Sequence, residues 1–154
     1  MRKESMIVNL AFFQRTYDVK KNYAFIIIPF SETWSNDVTK GVKAVCKKCG
    51  FYAKRADDIF DTKRSVIDDI WKGLCEAEIV IVDVTKQNAN VFYELGLAHA
   101  LGKDIILLRQ QNGDEVPFDI RGRRYLQYGT LPSAFTKFKR DLSDILKDYK
   151  KNEK

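Results

Sequence analysis

One carboxylate stands in a stretch of this chain that is otherwise almost entirely apolar. The segment from Asn90 to Gly102 reads Asn-Val-Phe-Tyr-Glu-Leu-Gly-Leu-Ala-His-Ala-Leu-Gly, and its single acid is Glu94. As a helix it is apolar on nearly every face, so we expect it to be buried on most sides. A carboxylate in such surroundings is costly to ionise, and groups of this kind concentrate at functional sites. Glu94 is therefore the candidate catalytic residue.

Glu94 also has a structural interpretation. Acids in the first turn of a helix interact favourably with the helix dipole, and Asn90 could cap a helix at this point. With that cap, however, Glu94 is the fourth helical residue, one beyond the usual capping-box position. His99 follows five residues later, about 140° around the helix, and is interpreted as a core histidine.

Short apolar runs alternate with helical stripes from Tyr23 onward, and this alternation predicts the elements that position Glu94. Strands are predicted at 23–28, 51–54, 79–84, 105–109 and 125–128. Helices are predicted between them, one starting at a Thr62 cap, one at 90–102 and the last at a Ser133 cap. The pattern predicts an α/β fold, a flavodoxin-like (Rossmannoid) three-layer sandwich whose five-stranded parallel sheet has the order 2-1-3-4-5.

The chain divides into three parts by its pattern. Residues 1–22 do not share the alternation and are interpreted as an N-terminal arm or linker. Residues 23–150 form one domain of ordinary size, and 151–154 are a basic tail.

Sheets of this kind bind ligands at the carboxyl ends of the strands, near the switch point between strands one and three. Several separate segments meet at that edge. Phe30 follows strand one and could stack on a base, while Arg55 after strand two could meet a phosphate. Asp83 ends strand three, where acids also cap loops. Asn88 and Asn90 are of a type that more often serves in turns and caps than as a ligand. The candidate ligand-binding residues are Phe30, Arg55, Asp57, Asp83, Asn88, Asn90 and Tyr93.

Other functions of this fold need residues that the chain does not have. A phosphate-accepting receiver domain uses an acidic pair after strand one and a lysine after strand five, and here Phe30-Ser31 and Gly129-Thr130 stand there. A flavin-binding or P-loop protein needs glycines after strand one, and Pro29 to Trp34 contains none.

Composition narrows the partners. The net charge of +6 and the pI of about 9.2 favour anionic ligands such as nucleotides. Binding of nucleic acid is not expected, because the sequence has no basic stripe with interleaved aromatic residues. No apolar run approaches the ~20 residues of a membrane span. The chain has three cysteines, an odd number with no sign of secretion, so we expect reduced thiols and a cytoplasmic location. The Cys46-Lys-Lys-Cys49 pair has no second pair to complete a metal site, so no metal is expected.

On these residues the chain resembles the nucleoside 2-deoxyribosyltransferase superfamily and, more closely, small bacterial TIR-like nucleotide-binding proteins. The resemblance covers about residues 23 to 130, and its most specific block is Asn90 to Lys103. The other blocks that carry it are Phe25-Ile-Ile-Ile-Pro-Phe30, Arg55-Ala-Asp-Asp-Ile59, Ala77-Glu-Ile-Val-Ile-Val-Asp-Val-Thr85 and Val116-Pro-Phe-Asp119.

The resemblance implies that Glu94 is a nucleophile at an anomeric carbon in the cleavage of an N-glycosidic bond. The transferases usually carry an acid about six residues before the nucleophile, and here that residue is Asn88. A base that leaves without protonation, such as nicotinamide, therefore fits better than an ordinary nucleobase. The implied activity is a glycosidase or ribosyltransferase acting on NAD or a related nucleotide or nucleoside, with no further cofactor, as in antiphage defence effectors.

The resemblance also implies a homo-oligomer, because family members often complete their sites across subunits. Two other functions stay open. One is a module that senses a nucleotide without turning it over. The other is a TIR-like module whose function is self-association.

Overall fold

The computed structural model describes residues 16–59, 65–111, 113–122 and 124–152. Its core is a five-stranded sheet in the order β2-β1-β3-β4-β5, and every neighbouring pair of strands is parallel. The predicted fold class and strand order are confirmed. The strands are β1 (Tyr23–Ile27), β2 (Tyr52–Arg55), β3 (Ile79–Asp83), β4 (Asp104–Gln110) and β5 (Leu126–Tyr128).

Helices cover both faces of this sheet. They are α1 (Ser35–Lys48), α2 (Val66–Glu76), α3 (Ala89–Ala100), α4 (Phe118–Arg121) and α5 (Pro132–Asn152). Short 3-10 turns at Ala56–Ile59 and Thr85–Gln87 follow β2 and β3. No helix in the described part of the chain is long and apolar enough to cross a membrane.

The sheet separates two apolar cores. Helices α1 and α5 pack on one face, with Val42, Phe138 and Leu142 fully buried there, whereas α2 and α3 cover the other face with Leu74 and Leu95. Successive strand residues point to opposite faces, so the central strands must be apolar on both sides. Strands β1 and β3 are buried along their whole length, which is why they read as continuous apolar runs.

Three helix starts differ from the predicted caps. Helix α2 begins after Ser65, whose hydroxyl and the carboxylate of Asp68 form a capping box, and Thr62 lies outside the described residues. Helix α3 is capped by Asn88 and not by Asn90. Helix α5 begins at Pro132, one residue before Ser133, because proline suits the first helical position, where no intrahelical N–H bond is lost.

Residues on both sides of the predicted domain, 23–150, make contacts with it or continue its last helix. The Lys20 backbone N–H donates to the Glu76 carbonyl at 2.8 Å, and the Lys20 ammonium lies 2.9 Å from the Glu76 carboxylate. At the other end α5 extends through Lys151 to Asn152.

Candidate functional site

Helix α3 brings Glu94 to the sheet. The prediction that this helix is buried on most sides is wrong. The side chains of Val91, Glu94, Leu95 and Ala98 are buried, while the opposite face, with Tyr93 53% exposed, is open. His99 also lies on the exposed side, so its interpretation as a core histidine is wrong. The reason is that a helix in an outer layer contacts the sheet along one stripe only, whatever its other side chains are.

The Glu94 carboxylate is buried, and it has no hydrogen-bond or ion-pair partner among the described residues. Its residue is 9% exposed, and no described residue gives it a hydrogen bond or an ion pair. Burial raises the pKa of Glu94 from 4.5 to about 7, because the charged form loses its hydration without compensation. The carboxylate is therefore easily protonated at neutral pH, and positive charge nearby would stabilise its ionised form.

Asn88 and Asn90 stand at the start of the same helix in different roles. The Asn88 side-chain oxygen accepts from the backbone N–H groups of Asn90 at 3.0 Å and Val91 at 3.2 Å. The turn before it holds Lys86 and Gln87 in the left-handed region, at φ of 66° and 44°. Asn90 is exposed on the first turn of α3. The Asn88 side-chain carbonyl is thus already engaged in fixing the helix that carries Glu94.

Asp83 is held inside the protein on the other side of the sheet. Its carboxylate accepts from the Thr85 backbone N–H at 2.9 Å and from the Tyr128 hydroxyl at 2.7 Å. Burial raises its pKa, although both hydrogen bonds act in the opposite direction. Tyr128 belongs to the core beneath α1 and α5, whereas the residues buried beside Glu94 on α3 belong to the core on the other face of the sheet.

Phe30, Arg55 and Asp57 are brought together at the end of β2. Arg55 donates from Nε to one Asp57 oxygen at 2.7 Å and from Nη2 to the other, and Nη2 also reaches the Asn36 side-chain oxygen at 3.2 Å. The guanidinium carbon lies 4.8 Å from the centre of the Phe30 ring, which is 54% exposed. The hydrogen bond from Arg55 lowers the pKa of the Asp57 carboxyl.

The Arg55 guanidinium therefore serves first to hold Asp57, Asn36 and the Phe30 ring in place at the end of β2. Asp57 occupies two of its donors and offsets its charge, which weakens the case for a phosphate on Arg55. Its Nη1 is buried and has no hydrogen-bond partner among the described residues. Phe30 and Asp57 also line a cavity of about 210 Å³ with Ala56 and Val66. Glu94 is not among the described residues that line this cavity.

Sequence reasoning missed Tyr128 and Asn36 as partners of the candidate residues. Tyr128 lies 45 positions beyond Asp83, and Asn36 lies 19 positions before Arg55. Each contact depends on which strands and helices become neighbours, so no local pattern signals it. Tyr128 was visible only as part of the fifth strand.

The chain is similar to known proteins in its structure but matches none of those compared by sequence. No protein-family model matches the chain, and neither does any curated protein. Among solved structures, the TIR domain of a Toll-related receptor from Hydra magnipapillata matches with a TM-score of 0.62 and 15% identity, covering 81% of this chain and 97% of that one.

Two bacterial enzymes match in the same way. A 2-deoxyribosyltransferase from Bacillus psychrosaccharolyticus has a TM-score of 0.56 and 13% identity, covering 79% of this chain and 90% of its own. A CMP N-glycosidase from Clostridium botulinum has a TM-score of 0.54 and 16% identity, covering 80% and 98%.

These neighbours place the protein in one structural class, the flavodoxin-like α/β domains that include TIR domains and deoxyribosyltransferases. They are the same two groups that the sequence resembles. Likeness at 13–16% identity establishes a shared fold. Folds of this class carry many activities, so the function has to be argued from the site.

Proposed function

We propose that this protein cleaves the N-glycosidic bond of NAD or a related nucleotide or nucleoside, with Glu94 as the nucleophile. The ribosyl group then passes to water or to a second base. The observation that carries the proposal is the Glu94 carboxylate, which is buried, unpartnered among the described residues and raised in pKa to about 7. The enzyme names of the deoxyribosyltransferase and the CMP N-glycosidase with this fold support the same class of reaction.

The chemistry uses the charge of Glu94 at the moment it is needed. An Oε of Glu94 bonds to the anomeric carbon while the C–N bond breaks and its electron pair leaves with the base. Positive charge develops on the sugar in this step, and a carboxylate that burial has left uncompensated gains more from that charge than a hydrated one would. Attack of water on the glycosyl ester releases the sugar with whatever it carries (ADP-ribose when the substrate is NAD), a proton and the free carboxylate.

The leaving group decides between substrates. By the sequence resemblance, Asn88 takes the place of the acid that the transferases usually carry about six residues before the nucleophile, and its amide oxygen already caps α3. A neutral base would therefore leave as an anion, at a high energetic cost. The nicotinamide of NAD carries a positive charge and becomes neutral when it takes the electron pair, so it requires no proton. We propose NAD-like dinucleotides as the preferred substrates for this reason.

Phe30 is the proposed stacking surface for a base. Its ring is exposed on one side and lies against the Arg55 guanidinium on the other, so its position is held before a ligand arrives. Ring stacking of this kind contributes about 0.5–1.5 kcal/mol beyond buried area. Tyr93 comes one residue before Glu94 but lies on the exposed face of α3, about 100° around the helix, so it is not proposed as a contact of the same ligand.

The test is an incubation with NAD, NADP, nucleosides and nucleotides, followed by chromatographic detection of free base. We expect nicotinamide release from NAD, its loss in Glu94→Gln, and its retention in Glu115→Gln, which changes an exposed acid in the same way. Full activity in Glu94→Gln would remove the proposal. A ligand that stabilises the protein without any product would favour a nucleotide sensor.

A second candidate function is self-association in the manner of a TIR-like module. The specific observation is the exposed face of α3, where Tyr93 stands among the small residues Ala89, Gly96 and Ala100. Small residues beside an exposed aromatic ring allow close approach of a second surface. Sedimentation velocity should show an oligomer that Tyr93→Lys dissociates and that Val19→Lys, at another exposed apolar position, leaves intact. A monomer at all concentrations would exclude it.

A further inference from the structure

A second cavity lies at the carboxyl ends of β4 and β5, on the opposite side of the sheet from Glu94. It encloses about 330 Å³ between the first turns of α1 and α5. Three aromatic rings, those of Trp34, Tyr128 and Phe135, line it, and all three belong to the core on the α1 and α5 face. Glu94 is buried with the other core. The cavity is therefore separate from the proposed catalytic site.

Trp34 and Phe135 are partly exposed at the aromatic wall of this cavity, whereas Tyr128 is buried. The centres of the Trp34 and Tyr128 rings are 6.1 Å apart with their planes inclined by 48°, and Tyr128 meets Phe135 edge-on at 6.5 Å. No pair among these three rings stacks face to face. The Trp34 indole N–H donates to the Glu32 carboxylate at 3.2 Å, which restrains the ring. A flat heteroaromatic ring is the ligand that such a wall accommodates best.

A primary amide lines the same cavity. The Gln110 backbone N–H donates to the Thr85 hydroxyl at 2.9 Å, which holds the end of β4 in place. The Gln110 side chain lines the cavity, and no described residue bonds to its amide. An amide offers a donor and an acceptor side by side, the arrangement that matches N6 and N7 of adenine. Thr130 adds an exposed hydroxyl at the rim.

The helices that border this cavity are basic as a whole but not at the cavity. Helix α1 carries four lysines and one aspartate, and α5 carries six basic and three acidic side chains, so each has a net charge of +3. Helix α2 carries one lysine against three acids, and the only charged side chain of α3 is Glu94. The charged side chain that lines the cavity itself is Asp37, in the first turn of α1, whereas Lys47 and Lys48 of α1 and Lys150 and Lys151 of α5 lie in the last turns, at the far ends of these helices.

We infer that this cavity binds an adenine base, with the ring against the aromatic wall and its hydrogen-bonding edge on the Gln110 side-chain amide. Its volume is at the lower end of the ~300–1,000 Å³ range of ligand pockets, which suits one nucleoside and not a whole dinucleotide. The site goes beyond the proposed glycosidase and does not require it. A protein with both sites would bind an adenine nucleotide while another substrate reacts at Glu94.

The test uses Trp34 as its reporter. The chain has two tryptophans, so Trp71→Phe leaves Trp34 as the sole indole, and Glu94→Gln is added to prevent turnover. Titration with AMP should change the Trp34 fluorescence saturably, whereas ribose 5-phosphate and inorganic phosphate should not compete. Gln110→Ala should weaken AMP binding about tenfold, as expected for the loss of a bidentate base contact. Gln127→Ala, an exposed glutamine on the neighbouring strand, should bind AMP as before.

Three results would overturn the inference. They are no saturable response to AMP, equal affinity in Gln110→Ala, and equal competition by ribose 5-phosphate, which would mean anion binding without base recognition. If Gln110→Ala does not fold, Gln110→Glu keeps the side-chain shape and should weaken AMP through charge repulsion. The AMP titration is made in the Glu94→Gln background, where no glycosidase activity is expected. Its result therefore does not depend on whether the proposed glycosidase function is right.

Discussion

Replacing Glu94 by glutamine should stabilise the folded protein, and the gain should grow as the pH rises from about 4.5 to about 7. Burial raises the pKa of this carboxyl from 4.5 to about 7 in the folded state. A pKa difference of one between the folded and unfolded states corresponds to about 1.4 kcal/mol, so ionising Glu94 costs the fold about 3 kcal/mol relative to the unfolded chain. Glutamine has the same shape and carries no charge, so the variant avoids this cost.

The sign follows from where the proton is held. Between pH 4.5 and 7 the folded protein keeps a proton on Glu94 that the unfolded chain has released. The contribution of Glu94 to stability therefore falls as the pH rises through this window and is constant above it. Below pH 4.5 both states are protonated, so wild type and Glu94→Gln differ only by the constant effect of exchanging an acid for an amide.

The measurement is urea unfolding of both proteins from about pH 4 to about pH 8.5. The difference in unfolding free energy should grow by about 3 kcal/mol across the window, equivalent to a rise of about 6–12 °C in melting temperature for a domain of this size. Because all other groups titrate alike in both proteins, their contributions cancel in the difference. Glu115→Gln, an exposed acid, should show a flat difference near zero. A flat difference for Glu94→Gln as well would refute the desolvation argument.

Three further predictions concern the same elements. If the proposed function is right, kcat/KM for NAD cleavage should rise with pH through about 7 and then level off, since the nucleophile must be ionised; a profile that falls over this range would contradict the role of Glu94. Asn88→Ala should lower the free energy of unfolding in urea by about 1 kcal/mol because α3 loses its cap, whereas Asn90→Ala should change it by less than about 0.5 kcal/mol. Equal effects of the two substitutions would mean that Asn88 is not the cap. Tyr128→Phe should cost about 1–3 kcal/mol in the same assay, because one oxygen of buried Asp83 loses its donor; a neutral effect would mean that water replaces the hydroxyl.

The candidate site divides into parts that local pattern could predict and parts that it could not. Glu94 was found because one acid in an apolar helix is a local feature, and its burial agrees with that prediction. The cap of α3 was assigned to Asn90 when Asn88 performs it, because both are asparagines and the choice depends on where the backbone enters the helix. The pairing of Arg55 with Asp57 is local, whereas the contact with Phe30 depends on β1 and β2 lying side by side.

The sequence by itself determined the layers of this protein. Continuous apolar runs specify strands buried on both faces, and the stripes between them specify the helices that cover these faces, because side-chain periodicity follows backbone geometry. Only the tertiary structure decided which carboxylates share the same surroundings. Asp83 and Glu94 are eleven residues apart in the sequence, yet strand alternation directs Asp83 to Tyr128 on one face while α3 holds Glu94 against the other. One acid therefore has its partners and the other has none among the described residues, a difference set by contacts between distant segments.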